Sequence, residues 1–149
     1  MLSIAVFALP IAIADWKYRK IPNIYLLFIL YWVGMSRLFS GVRSPVTIAL
    51  AILLAMTAVV FLGMGMGDAK YFILICLALN VSHATQLVIL IVGIYIASAG
   101  GICISWLAGH KFPDSIPLAA PIVMGTTLYL AASSSIPLQQ YADALVNSW

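Results

Sequence analysis

Residues 46–64 read VTIALAILLAMTAVVFLGM, a run of 19 residues without a charged side chain. A helix needs roughly 17 to 25 apolar residues to cross the hydrocarbon core of a bilayer, so this run predicts a transmembrane helix. The rest of the chain has the same character, because 64% of its 149 residues are hydrophobic and only 7% are charged. Charged residues make up roughly a quarter of a soluble domain. The composition therefore indicates an integral membrane protein.

Five more apolar runs accompany this one, and each is bounded by charged or turn-forming residues. The six predicted segments are residues 1–14, 22–39, 46–64, 71–84, 87–108 and 116–132. Polar residues between Asn80 and Gln86 predict a turn that separates the fourth helix from the fifth. We therefore expect an all-α membrane protein, a bundle of six transmembrane helices that forms a single domain over residues 1–149.

Basic residues divide unequally between the two sides of the predicted bundle. If successive helices cross the membrane in alternate directions, Arg37 and Arg43 lie on one side. The other side has five basic residues, Lys17, Arg19, Lys20, Lys70 and Lys111. Cytoplasmic loops of membrane proteins carry the excess of Lys and Arg, so the larger group is expected in the cytoplasm and both termini outside. The net charge of +3 rests on only 11 charged side chains, which excludes nucleic-acid binding as a main role.

The first and fourth apolar runs are short for a membrane crossing. Each has 14 residues, so both helices are expected to continue into polar residues. The first can run through Asp15 to about Lys20, because Pro22 disfavours helix at the residue before it. The fourth can begin at Gly67 or Asp68. Two aspartates thus lie at a similar shallow depth on the predicted cytoplasmic side.

Asp15 and Asp68 are unusual among the 4 acidic residues of the chain. Asp114 lies in a polar connection and Asp143 in the C-terminal tail, where both are expected to be solvated. An ionisable side chain at membrane depth costs a few kcal/mol and usually faces a bundle interior or a water-filled cavity. Two neighbouring carboxyl groups can share one proton, so that one activates a water while the other donates to a carbonyl. This is the chemistry of an aspartic protease, which needs neither metal nor cofactor.

Each aspartate also has a purely structural interpretation. Asp15 precedes Arg19 by four positions, as in an ion pair on one helix face. Asp68 follows a glycine and precedes an apolar helix, as an N-cap residue does. A different functional class is a small proton- or ion-coupled transporter or channel subunit, in which Asp15 and Asp68 would be relay groups.

The glycines before Asp68 have two interpretations as well. Gly63, Gly65 and Gly67 are predicted to allow positive φ and the close approach of an extended substrate. The alternative is a face of small residues at which two helices pack.

The residues around the two aspartates read DWKYRKIPN from Asp15 to Asn23 and GMGMGDAK from Gly63 to Lys70. These stretches resemble the two signature segments of the type IV prepilin peptidases, membrane aspartic proteases with a Gly-x-Gly-Asp motif. The short chain resembles the Flp/Tad-type members in particular. Residues 112–121, FPDSIPLAAP, resemble the family's entrance to the sixth helix, with Leu118 where an aromatic residue is common.

The resemblance implies a function and a set of residues. Asp15 and Asp68 would be the catalytic pair, Gly65 and Gly67 would position the loop, and Lys70 would be the accompanying basic residue. The substrates would be prepilins or pseudopilins, whose short basic leader is removed at the cytoplasmic face of the bacterial inner membrane. Larger relatives that also methylate the product carry an additional cytoplasmic segment, often with CxxC pairs. We therefore expect a peptidase without methyltransferase activity, with the lipid bilayer and the prepilins as its partners.

Overall fold

The computed structural model describes residues 2–18, 21–109 and 118–135, and these ranges contain α-helices and connections but no strand. The helices are α1 Leu2–Tyr18, α2 Asn23–Ser40, α3 Pro45–Leu62, α4 Met66–Leu79, α5 Ala84–Gly109 and α6 Ala119–Ser135. Each corresponds to one of the six apolar runs. The all-α prediction is therefore confirmed for the described ranges.

Local sequence signals account for several helix ends. The Ser44 hydroxyl oxygen accepts a hydrogen bond from the Thr47 N–H at 3.2 Å, and Pro45 occupies the first position of α3. Gly63 ends the same helix in the left-handed region, with φ at 66°. Asn80 ends α4 in that region as well, with φ at 53°. The turn predicted between the fourth and fifth helices is therefore confirmed.

Within the described ranges, three helices are long and apolar enough to cross a membrane, namely Asn23–Ser40, Pro45–Leu62 and Ala84–Leu107. The segment Ala119–Ser133 is a shorter apolar helix. Large apolar side chains on the three long helices point away from the protein; Phe39, Val60 and Ile104, for example, are 85%, 70% and 70% exposed. Lipid is the environment that suits such a surface. Six crossings and the location of the termini remain predictions.

The short helix α4 forms the centre of the bundle. Half of its 14 residues are buried, and these are Ala69, Tyr71, Phe72, Leu74, Ile75, Cys76 and Ala78. It packs against α2, α3 and α6. Facing it, α3 buries small side chains at four-residue intervals, Thr47, Ala51 and Ala55, which allow a close approach of the two helices.

The fourth helix extends into the residues before Tyr71, as expected, but it does not reach the length of a membrane crossing. The helix begins at Met66, one residue before the expected start, but it ends at Leu79 and so spans about 21 Å. That is less than the roughly 30 Å of a bilayer core. The first helix does continue through Asp15, as expected, and its described part ends at Tyr18. Arg19 and Lys20 lie outside the described residues.

The connections meet at two ends of the bundle. At one end, Ile21 lies against Gly67, and Asp15 bonds to Ala119 at the start of α6. Lys17 and Lys70 belong to this end. At the other end, the Arg43 N–H donates to the Asn80 side chain at 2.9 Å. Helices that follow one another in sequence therefore run in alternating directions.

Arg37 of α2 closes the C-terminal end of α4. Its guanidinium donates to the Leu77 carbonyl at 3.1 Å and to the Ala78 carbonyl at 2.6 Å. The last carbonyls of a helix have no partner within the helix, and an unpartnered carbonyl within lipid is costly. Arg37 thus holds the central helix in place from the end opposite to Asp68.

We predict that Arg37→Gln lowers the free energy of unfolding by about 2 kcal/mol, because two carbonyls of α4 lose charged hydrogen-bond donors. The measurement is unfolding in detergent micelles. Arg43→Gln removes an equal charge from the same end, but the Arg43 contact is made by its backbone N–H. We expect this control to stay close to wild type. Equal losses of unfolding free energy in the two variants would show that the effect comes from the charge and not from the hydrogen bonds to α4.

Helices α5 and α6 cross with their backbones in close contact. A Cβ atom added to Gly125 would lie 2.6 Å from the Ile94 nitrogen and 2.8 Å from its Cα. On the facing helix, a Cβ at Gly93 would lie 3.4 Å from the Gly125 carbonyl oxygen. Small residues permit such approaches between membrane helices. This crossing fixes α6, and with it the segment that contacts Asp15.

We predict that Gly125→Ala destabilises the protein by about 1–3 kcal/mol, because the added methyl group overlaps the α5 backbone and the helices must separate. The thermal unfolding midpoint in micelles measures the effect. Gly100→Ala is the control within α5, since a Cβ there would meet nothing within 4 Å. A Gly125→Ala midpoint no lower than that of the control would contradict the proposed backbone contact.

Candidate active site

A cavity of about 1030 Å³ opens between α3, α4 and α5 at the end of the bundle where α4 begins. Its walls are mainly apolar and include Phe61, Phe72 and Ile91. Asp15 from α1 and Asp68 from α4 both line it, although 52 positions separate them in the chain. The structure thus brings together the two aspartates that the sequence singled out.

Asp15 is almost completely buried, with 4% of its surface exposed. Its Oδ2 atom accepts a hydrogen bond from the backbone N–H of Ala119 at 3.0 Å. Ala119 is the first residue of α6 and is fully buried. Arg19, the partner in the ion-pair interpretation, lies outside the described residues. The anchor that the structure gives Asp15 is therefore a helix start 104 residues away in sequence.

Asp68 lies in the first turn of α4 and is half-buried. The N-cap interpretation of this residue is wrong, because the N-cap position of α4 is occupied by Gly65. No side chain forms a capping hydrogen bond there. Among the described residues, the buried Oδ1 atom of Asp68 has no hydrogen-bond partner. This oxygen is shielded by the protein itself, while Asp68 as a residue lines the cavity.

Two of the glycines are required by contacts. A Cβ on Gly65 would lie 2.9 Å from Oδ2 of Asp68, so only glycine leaves room for this carboxylate orientation. A Cβ on Gly67 would lie 3.3 Å from the Cβ of Ile21. The Ile-Pro-Asn segment and the Gly-x-Gly-Asp segment therefore touch, which gives a physical reason for their occurrence together.

The prediction of positive φ is right for Gly63 alone among these glycines. Gly65 has φ at −60°, and Gly67 is not among the described residues with positive φ. At these two positions glycine leaves space for a neighbouring side chain and does not serve to give the backbone a positive φ. A sequence pattern does not distinguish these two reasons for a glycine.

Lys70 does not join the aspartates. Its side chain is exposed, and it is not one of the residues that line the cavity. The polar groups on the cavity wall are instead Thr57, Tyr95 and Ser98, from α3 and α5. Sequence reasoning missed the roles of Ile21 and of the Ala119 N–H. Ile21 directly precedes Pro22 at the start of α2, and Ala119 lies two residues before Pro121 in the first turn of α6, so a nearby proline is the one sequence signal at these positions.

Residues 2–106 match the family model described as the Type IV leader peptidase family. The chain belongs to this family. The match includes both aspartates and the glycine segment, and it ends within α5, before α6 begins. No curated protein and no solved structure matches the chain significantly.

Membership defines the protein as a leader peptidase, a hydrolase whose family acts on prepilins in general. Several apolar helices and this family together indicate a multi-pass membrane protein. The family match therefore favours the protease over a transporter with aspartate relay groups. The assignment of Asp15, Asp68, Gly65, Gly67 and Lys70 to the site remains a prediction.

We predict that Gly65→Ala lowers leader cleavage about 10- to 100-fold with little change in the unfolding midpoint. The added Cβ displaces the end of a flexible side chain, which costs little stability but moves the Asp68 carboxylate. Cleavage of a prepilin and thermal unfolding are measured on the same purified variant.

Gly63→Ala is the control, and we expect it to lower stability without lowering the cleavage rate. A Cβ at Gly63 meets nothing within 4 Å, but its φ of +66° strains any other residue. We expect a loss of about 1 kcal/mol in stability and a cleavage rate near wild type. A Gly65→Ala variant that cleaves at the wild-type rate would contradict the steric argument.

Proposed function

We propose that this peptidase removes the short basic leader of Flp-like prepilins or pseudopilins at the cytoplasmic face of the bacterial inner membrane, with Asp15 and Asp68 as its catalytic residues. The observation that carries the proposal is the common cavity of the two carboxyl groups. Polar side chains at membrane depth are expensive and are retained chiefly where they function. Here one aspartate is buried and the other has an unpartnered oxygen.

The proposed chemistry is direct hydrolysis of one peptide bond. A carboxylate of the pair removes a proton from a water molecule, and the water oxygen bonds to the scissile carbonyl carbon. The carbonyl oxygen takes a proton from the second, neutral carboxyl group, which gives a tetrahedral gem-diol. When the C–N bond breaks, the first carboxyl group protonates the leaving nitrogen and the second regains its proton from the gem-diol. Both groups then return to their original states.

The cavity wall suits the expected substrate. A prepilin is cut where a basic leader meets the apolar segment that becomes its helix, so the peptidase must accommodate apolar side chains next to the scissile bond. Phe61, Phe72 and Ile91 provide such a surface beside the aspartates. The glycine segment borders the same cavity through Gly65, where an extended peptide backbone meets no side chain.

Basic residues near this end have another role in the proposal. The leader itself is positive, so Lys17, Arg19 and Lys20 would repel it and are better suited to anionic lipid headgroups. In this arrangement they hold the site at the inner leaflet. The Lys17 side chain is exposed, as such a contact requires, whereas Arg19 and Lys20 lie outside the described residues.

We predict that Asp15→Asn and Asp68→Asn each lower leader cleavage about 10²- to 10⁴-fold, because neither amide can exchange a proton with the water or the carbonyl. Cleavage of a co-expressed prepilin is followed on immunoblots, with membrane levels of each variant measured in parallel. Asp143→Asn is the control, since sequence places that residue in the tail. Either site variant that is present at normal levels and cleaves at the wild-type rate would disprove the two-carboxylate mechanism.

Purified protein separates proteolysis from transport. A relay protein acts on an ion gradient, whereas a peptidase in detergent micelles cleaves a synthetic prepilin peptide with no gradient present. We expect wild type to release the leader under these conditions and both asparagine variants to release none. Failure of purified wild type to cleave would contradict the proposed substrate.

A further inference from the structure

The position of Asp15 within its own helix disfavours a negative charge. Asp15 lies near the C-terminal end of α1, whose described part ends at Tyr18. The C-terminal end of a helix carries a partial negative charge, so an ionised aspartate is destabilised there. Burial adds to the cost, because the carboxylate is only 4% exposed and gives up most of its contact with water. An ionised Asp15 therefore needs stabilisation from another part of the chain.

The start of α6 provides that stabilisation. The Ala119 N–H is one of the first N–H groups of a helix, which have no acceptor within the helix. It donates to Asp15 at 3.0 Å, and the helix start adds a partial positive charge beside the carboxylate. The Ile122 N–H bonds to the Leu118 carbonyl at 3.0 Å, so the first turn of α6 is formed where Asp15 meets it.

Asp68 lies in the first turn of α4, so a helix start favours a negative charge there as well, but among the described residues it has no hydrogen-bond donor equivalent to the Ala119 N–H. Its Oδ1 atom is buried without a hydrogen-bond partner among the described residues, and its Oδ2 atom lies over Gly65, which leaves it no side-chain donor there. A buried oxygen without a donor costs less free energy when the carboxyl group is neutral than when it is ionised. The two members of the pair thus differ in their surroundings even though they share one cavity.

We infer that the first N–H of α6, at Ala119, keeps Asp15 ionised and oriented as the general base, and so assigns the shared proton to Asp68. This inference rests on the proposed function and assigns the two catalytic roles, general base and general acid, to different aspartates. Asp15 accepts the proton of the attacking water, while Asp68 donates its proton to the carbonyl oxygen and later regains it. Ala119 is a positioning residue, since it acts through Asp15. It lies outside residues 2–106, the part that the family model matches.

Proline substitution at two neighbouring positions tests the role of this N–H. Ala119→Pro removes the donor at the first position of a helix, where proline is well tolerated. Ala120→Pro is the matched control, because it adds the same ring one residue later and leaves the bond to Asp15 intact. Steady-state cleavage of a synthetic prepilin peptide is measured for both in micelles.

We expect Ala119→Pro to lower kcat about 10- to 100-fold with KM within about twofold of wild type. The range corresponds to the loss of one hydrogen bond to a charged group. Ala120→Pro is expected to keep kcat within about threefold of wild type. A merely structural role for Ala119 would lower the amount of folded enzyme or change KM along with kcat.

A backbone ester provides the second variant, in case the proline ring disturbs the buried position. Lactate in place of Ala119 replaces the N–H by an oxygen and keeps the methyl group, and lactate in place of Ala120 is its control. We expect the ester at 119 to reduce kcat as the proline does, and the ester at 120 to have little effect.

The outcomes separate this inference from the proposed function. Loss of cleavage in Asp15→Asn and Asp68→Asn, together with normal kcat in the proline and ester variants at 119, would overturn the role of Ala119 and leave the aspartate pair in place. Wild-type cleavage in the two asparagine variants would instead overturn the proposed function itself.

Discussion

A carboxylate removed from water must receive hydrogen bonds or an opposite charge, and this constraint at Asp15 governs the arrangement of the helix ends around it. Asp15 obtains its donor from Ala119, at the beginning of α6. That contact requires α6 to be held firmly, and the tight crossing at Gly125 does so by joining α6 to α5. The packing of α5 against α6 therefore determines the position of the N–H group that binds the Asp15 carboxylate.

The short central helix α4 solves a related problem. At about 21 Å it cannot reach both surfaces of a bilayer core, so at least one of its ends lies within the depth that the longer helices span. Both ends carry polar groups that need partners at this depth. Arg37 supplies donors to the carbonyls at one end. At the other end, Asp68 lines the cavity that it shares with Asp15.

Sequence reasoning located the helices well because apolar runs and their polar boundaries are local properties. It also selected Asp15 and Asp68, since an acidic residue beside an apolar run is conspicuous. It failed where the cause was a contact between distant parts of the chain. The length of α4 depends on burial by its neighbours, the glycine at position 65 depends on the Asp68 side chain, and the donor to Asp15 is a backbone N–H that every residue except proline possesses. Residue type carries no information about such partners.

The contacts of the two motifs place both carboxyl groups at one cavity. Gly67 lies against Ile21, so the entrance of α2 supports the first turn of α4 directly. Gly65 allows the Asp68 carboxylate to fold back over the chain, and Gly63 reverses the chain direction after α3. Each glycine therefore removes a different steric obstacle. In the proposed reaction, carboxyl groups held by such contacts would need little reorientation during the proton transfers.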